Sequence, residues 1–247
     1  MQTKKKNKKI GFGERFYRKI AKPKGLISFE VSVKETDLWI SAEKELIKEA
    51  ETLVLDARHQ IESYIELHPD FLTSLCPWQY DALAPPVVKD MINGSKKANV
   101  GPMASVAGAI AEYVGKGLLK YTTQVIVENG GDIFVKLERE LNVSVFSTSH
   151  YDIGIIIKKD MMPIGICSSS GKIGHSLSFG CSDIVCVTSS STSIADAAAT
   201  YIANRIKKDE DIKKIEKWAS YIKSIKGVLA IVNDNISVWG EIELTLI

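Results

Sequence analysis

Residues 26–41 alternate between apolar and polar positions: Ile27, Phe29, Val31 and Val33 share one side, a polar Lys34-Glu35-Thr36-Asp37 turn follows, then Leu38 and Ile40. Such alternation predicts a half-buried antiparallel hairpin. Over 42–67 the period changes, and Leu46, Ala50, Leu53, Val54, Ala57, Ile61, Tyr64 and Ile65 recur at steps of three and four. That spacing predicts a long amphipathic helix. It stops at His68-Pro69, because proline disfavours the α region in the residue before it. Between 69 and 101, Pro69, Pro77, Pro85, Pro86 and Asn93-Gly94 interrupt any period, and the segment reads as an irregular connector or pocket rim. A small-residue helix is predicted over 102–120, where Ala104, Ser105, Ala107, Gly108, Ala109, Ala111, Gly115 and Gly117 favour close packing at some cost in helix propensity.

Strand-like runs follow at 124–127, 133–137, 142–146, 153–157, 164–167 and 184–188, helices at 193–207 and 210–225, and closing strands at 228–232 and 236–246. Hairpins at both ends, long helices between them and clustered central strands argue for an α+β fold rather than a doubly wound parallel sheet. The expected organisation is a basic N-terminal arm, 1–22, followed by one α+β domain, 23–247.

Composition changes this picture little. With 247 residues, 45% hydrophobic and 25% charged, the chain is long enough for a full core. The net charge of +2 is spread thinly apart from Lys4-Lys5-Lys6-Asn7-Lys8-Lys9. No basic stripe with interleaved aromatics points to nucleic acid, and no long apolar run points to a membrane. Cys76, Cys167, Cys181 and Cys186 form no CxxC pair and are too few for a disulfide scaffold. Reduced thiols in a cytoplasmic protein are the expectation.

Three segments carry candidate chemistry. Glu128-Asn129-Gly130-Gly131-Asp132 lies between two strand-like runs. It reads either as a plain hairpin turn or as a phosphate-approaching turn with Asp132 near a cation. A second loop carries Ser170, Gly171, Lys172, Gly174, His175 and Ser176. Its match to a P-loop fails on spacing, and Ile173 stands where a magnesium-binding hydroxyl is needed, which leaves a looser anion-binding loop. His175 is the strongest functional histidine by this context. The third segment is the alanine-rich helix containing Asp196 and Thr200, four apart and therefore on one face. The pair reads either as a structural acid with a back-bonded hydroxyl, Ser193 serving as N-cap, or as two oxygen ligands for magnesium.

Taken in order, Gly108-Ala109-Ile110-Ala111, the strand ending in Gly130-Gly131-Asp132, the loop bearing His175 and Ala195-Asp196-Ala197 with Thr200 resemble the ApbE-like superfamily of FAD:protein FMN transferases. Val100-Gly101-Pro102-Met103-Ala104 and Ser169-Ser170-Gly171-Lys172-Ile173-Gly174-His175-Ser176 resemble most closely a branch of it, of unassigned activity, found in archaea and anaerobic bacteria.

The resemblance implies a tandem T-fold-type α+β arrangement with FAD bound in a cleft. It further implies magnesium on Asp196 and Thr200, catalytic roles for His175 and Asp132, and ligand contacts from Gly130, Gly131, Ser170, Gly171, Lys172, Gly174 and Ser176. It also places Glu112 where the family carries a lysine. Three readings follow: a phosphoryl (FMN) transferase or pyrophosphatase acting on FAD or a related dinucleotide, with an acceptor protein as partner; a non-catalytic module binding a flavin or pterin-like ligand; and a homo-oligomeric scaffold.

Overall fold

The computed structural model describes residues 23–145, 153–170 and 180–246. Its backbone is an eight-stranded sheet in the order β1-β2-β3-β4-β7-β8-β9-β10, with every neighbouring pair antiparallel. The strands are β1 (Ile27–Val33), β2 (Thr36–Ala42), β3 (Val125–Asn129), β4 (Asp132–Lys136), β7 (Ile164–Ser169), β8 (Ile184–Ser189), β9 (Ile225–Val232) and β10 (Asn235–Gly240). A second, three-stranded sheet, β11-β6-β5, combines β5 (Leu141–Val145), β6 (Ile153–Ile157) and β11 (Glu243–Leu246). The helices are α1 (Ile47–Leu67), α2 (Asp70–Thr73), α3 (Pro86–Ala98), α4 (Val106–Leu118), α5 (Thr192–Ala203) and α6 (Ile215–Tyr221). The fold is α+β, as the pattern of elements predicts. Among the described residues no helix is long and apolar enough to cross a membrane.

Alternation along the central strands sorts the core into two sides of the large sheet. On β7, Ile164 and Ile166 pack with Val145, Ile155 and Ile157 of the small sheet, whereas Cys167 joins the alanines of α5. On the helix side, Leu38, Ile40, Val125, Val127 and Phe134 meet α1, α3 and α4 in one cluster. Helix α5 is the most enclosed of the helices. It lies on β7 and β8 and is flanked by α3 and α4, so an alanine-rich sequence is what its surroundings admit.

Two departures from the sequence reading have local causes. The first long helix starts at Ile47 rather than at 42, because Ala42 still belongs to β2. The following residue, Glu43, is engaged elsewhere: it accepts from the Thr123 N–H and the Thr122 hydroxyl, both at 2.8 Å, and from the Gln124 amide at 3.3 Å. Within 69–101 lies a regular helix, α3. Pro86 sits in its first turn, where the missing N–H costs nothing. Gly94 is no turn residue: a Cβ there would stand 2.7 Å from the Ser193 carbonyl oxygen, so the glycine admits α5.

The Glu43 bonds yield a stability prediction. The Thr123 N–H, with the hydroxyls and amide around it, lowers the Glu43 pKa from 4.5 to about 2. A depressed carboxylate stabilises the fold above its unfolded pKa and loses that contribution as pH falls through the folded value. Glu43→Gln is therefore expected to be less stable than the parent at pH 7, with the gap closing between about pH 4.5 and about pH 2. Urea unfolding across that range measures it; a gap independent of pH would refute the assignment.

Candidate functional site

The turn between β3 and β4 is fixed by its two glycines. Gly130 and Gly131 have φ of 67° and 104°, and Asn129 pairs directly with Asp132 across them. Consecutive positive φ values in a two-residue hairpin turn select glycine. The Gly131 N–H donates to Glu128 Oε1 at 2.8 Å. The turn thus sets Asp132 as the first residue of β4, directly across from Cys167 of β7.

Asp132 is buried, in contact with the Cys167 thiol and the Ser168 N–H. Its Oδ1 has no hydrogen-bond partner among the described residues. Loss of solvation, helped by the neighbouring Glu128 charge, pushes its pKa from 3.8 up to about 7. The Cys167 thiol donates to the Thr192 carbonyl at 3.3 Å. Burial first, then Asp132 and Asp196, push its pKa well above the usual thiol range. Such a thiol is an inert packing group rather than a nucleophile.

Asp196 reaches the same region from α5. Its Oδ2 accepts the Gly108 N–H at 2.9 Å, and the Ala107 N–H supports it. These are first-turn amides of α4, which have no partner within their own helix. Asp196 therefore caps α4 from outside it. Desolvation and repulsion by Asp132 hold its pKa well above the usual carboxylate range, outweighing the two amides. Asn129 Nδ2 donates to the Ala107 carbonyl at 3.1 Å, tying the glycine turn to the same end of α4. Thr200 stands one helical turn beyond Asp196, partly buried and on the same face.

The start of α5 differs from the expected Ser193 cap. Ser191 is the N-cap residue, and its hydroxyl, which lies 3.0 Å from the Ser193 hydroxyl, caps no backbone N–H of the helix. Glu112 of α4 takes that role: its Oε2 accepts from the Thr192 N–H at 2.7 Å, the Ser193 N–H at 3.2 Å and the Ser191 hydroxyl at 2.9 Å. Lys116 Nζ lies 2.6 Å from the other oxygen. The residue at the position of the family lysine is thus turned inward. The hydroxyl-rich run before α5 is structural in part, since Thr188 and Ser189 donate to the Gly227 and Ser224 carbonyls.

From the sequence-predicted set, the structure brings Asp132 and Asp196 into electrostatic reach of each other, with Gly130 and Gly131 in the turn before Asp132, Thr200 one turn further along α5 and Ser170 just past the end of β7. Gly171, Lys172, Gly174, His175 and Ser176 lie outside the described residues. Beyond them, the Cys181 N–H donates to the Ile206 carbonyl at 2.8 Å just past the C-terminal end of α5. Cys167, Asn129 and Glu112 as a cap escaped sequence reasoning. Asn129 could have been found as the flank of the Gly130-Gly131-Asp132 turn; the other two had no local signal.

Chemically, the region offers hard oxygens and little positive charge. Among the described residues no three His, Cys, Asp or Glu side chains are arranged to hold a metal ion. A cation on Asp196 and Thr200 would fill its remaining positions with ligand oxygens and water, which is how magnesium is commonly held.

A family model described as AbpE bacteria matches residues 18–223. The UPF0280 protein MJ1526 of Methanocaldococcus jannaschii is 38% identical over 221 residues, covering 86% of this chain and 90% of that protein. The UPF0280 protein of Archaeoglobus fulgidus is 35% identical over 221 residues, covering 87% and 92%. Among solved structures, the flavinyl transferase ApbE of Pseudomonas stutzeri superposes with a TM-score of 0.57 at 10% identity, covering 87% of this chain and 93% of that one. The flavin transferase ApbE of Vibrio cholerae gives 0.57 at 13% identity, covering 87% and 96%. At these identities the two structures establish a shared fold.

Proposed function

The chain belongs to the family described as AbpE bacteria, alongside archaeal UPF0280 proteins, and from that premise we propose that it cleaves the pyrophosphate of FAD or a related dinucleotide with the help of magnesium. The observation that carries the reading is the pair of mutually repelling carboxylates, the buried Asp132 and the part-buried Asp196, with Asp132 Oδ1 without a hydrogen-bond partner among the described residues. Two such groups on neighbouring elements are costly unless a proton or a cation sits between their charges. The oxygen chemistry of Asp196 and Thr200 suits magnesium, which would supply neutralisation of the phosphate charge as it builds up.

The remaining work falls to the chain's own groups. The Ala107 and Gly108 amides fix the Asp196 carboxylate in one orientation. The side-chain-free turn at Gly130-Gly131 leaves room for a ligand to approach the backbone, and Gly131 has open space where a Cβ would stand. Asp132, with a pKa of about 7, is matched to accept a proton near neutral pH.

In the transfer reaction a hydroxyl oxygen, from a threonine of an acceptor protein or from water, bonds to the FMN-side phosphorus. The bond from that phosphorus to the bridging oxygen breaks, AMP leaves with that oxygen, and the hydroxyl proton passes to a base. Asp132 is the base this reading assigns, with His175 as the sequence-based alternative. A cytoplasmic location belongs to the same reading and is supported by the sequence alone.

Incubating the protein with FAD and magnesium is expected to release AMP, detected by chromatography, and Asp196→Asn is expected to lose at least 100-fold of that rate, the scale on which single transition-state contacts act. Equal inertness of parent and variant would refute the enzyme reading. A second reading, a flavin- or pterin-binding module without turnover, is favoured by one feature: Glu112 replaces the family lysine and is committed to α5. Stoichiometric flavin in the natively purified protein, found by mass spectrometry and left uncleaved, would establish that alternative.

A further inference from the structure

Two carboxylates cross between α4 and α5 in opposite directions. Asp196 of α5 accepts the first-turn amides of α4, and Glu112 of α4 accepts the first-turn amides of α5. The spacings match: Gly108 to Glu112 is four residues on one helix, and Thr192 to Asp196 is four on the other. One helical turn on each is the same length, so a single antiparallel register satisfies both contacts and a slip of one residue breaks both.

Glu112 is an unusual choice for a cap. The Ser191 hydroxyl is at hand at the N-cap position, where a local Ser, Thr, Asp or Asn is the preferred cap. Here that hydroxyl donates to Glu112 instead. Glu112 is only 2% exposed, and a buried carboxylate is tolerated only when its oxygens are filled, as they are by two amides, one hydroxyl and Lys116. A cap donated by another helix does what a local serine cannot: it fixes one helix relative to the other.

We infer that Glu112 is a positioning residue for the candidate site: by locking the first turn of α5 to α4, it sets the register that puts the Gly108 and Ala107 amides on Asp196. The relevance of that position to FAD cleavage rests on the function proposed above; the register itself does not. Steric fit supports the same assignment, because a Cβ on Gly108 would stand 2.5 Å from the Thr192 carbonyl oxygen and 2.8 Å from Asp196 Cβ, so the two levels of contact are in tight register.

The Gly108 amide reports on this directly, since a first-turn N–H has no intrahelical acceptor and its protection comes from Asp196. In Glu112→Gln, amide hydrogen exchange by NMR on the full chain is expected to accelerate at Gly108 about tenfold relative to Val114 and Leu118, the scale of one charge-assisted hydrogen bond. Unchanged Gly108 protection with faster exchange at Thr192 and Ser193 would reduce Glu112 to a simple cap and overturn the inference. Uniform acceleration along α4 would overturn it as well, by showing only general destabilisation. Should Glu112→Gln not fold, Lys116→Met, which loosens the hold on Glu112 without touching the capping bonds, is expected to accelerate Gly108 about threefold over the same reference amides, and no change would overturn the inference. The measurement needs no ligand, so a parent protein inert toward FAD refutes the proposed function while the exchange result still decides this one.

Discussion

Asp132→Asn is expected to give a protein that is more stable at pH 8 than the parent and unable to cleave FAD. Asp132 titrates at about 7 in the folded chain against 3.8 ordinarily, so between those values the folded state holds a proton that the unfolded state releases. Stability therefore falls as pH rises through that window and stays reduced above it. A separation of about three pH units corresponds to on the order of 4 kcal/mol, and the repulsion between Asp132 and Asp196 divides that figure between the two groups. A gain of on the order of 2 to 4 kcal/mol at pH 8, shrinking to near zero at pH 4, is the expected pattern in urea unfolding. Equal stability of the two proteins at pH 8 would mean that the carboxylate is not strained.

Gly165→Ala is expected to be the most damaging small substitution in the site. The added Cβ would stand 2.4 Å from Thr192 Cα and 2.7 Å from Thr192 N. Both are backbone atoms at the start of α5, and the Thr192 amide is already bound to Glu112 at 2.7 Å. The side chain has no rotamer to change, so relief requires moving α5 off β7, and Asp196 moves with it. Overpacking typically costs about 1–3 kcal/mol, and a clash with pinned backbone belongs at or above the top of that range. Thermal unfolding should show the loss directly. A variant with parental stability would mean that α5 sits further from β7 than this packing implies.

The local part of this site is written in the sequence. Gly130-Gly131 between two apolar runs specifies the turn, because few other residues adopt both backbone conformations, and the four-residue step from Asp196 to Thr200 specifies a shared face. What joins them is not local. Asp132 and Asp196 are brought together by the pairing of β4 with β7 and by the seating of α5 on β7 and β8, and neither leaves a mark in either segment. Glu112 illustrates the same limit more sharply. As a residue aligned with a family lysine it suggests repulsion of a phosphate; in the fold it faces the amides of another helix. Helix α3 was hidden for a different reason. Asn93-Gly94 carries the letters of a turn, but Gly94 serves close contact with α5, and composition cannot separate those uses.

The exchange of carboxylates between α4 and α5 also determines how this region can open. Withdrawing either helix leaves the first-turn amides of the other without acceptors and buries a charge without its donors. Partial fraying at either first turn is therefore penalised twice, and the two first turns are expected to open and close together. A ligand that engaged Asp196 would pull on both helices at once. Its arrival would be communicated to the Lys116 side of the pair, a full turn beyond Glu112, with no moving hinge in between.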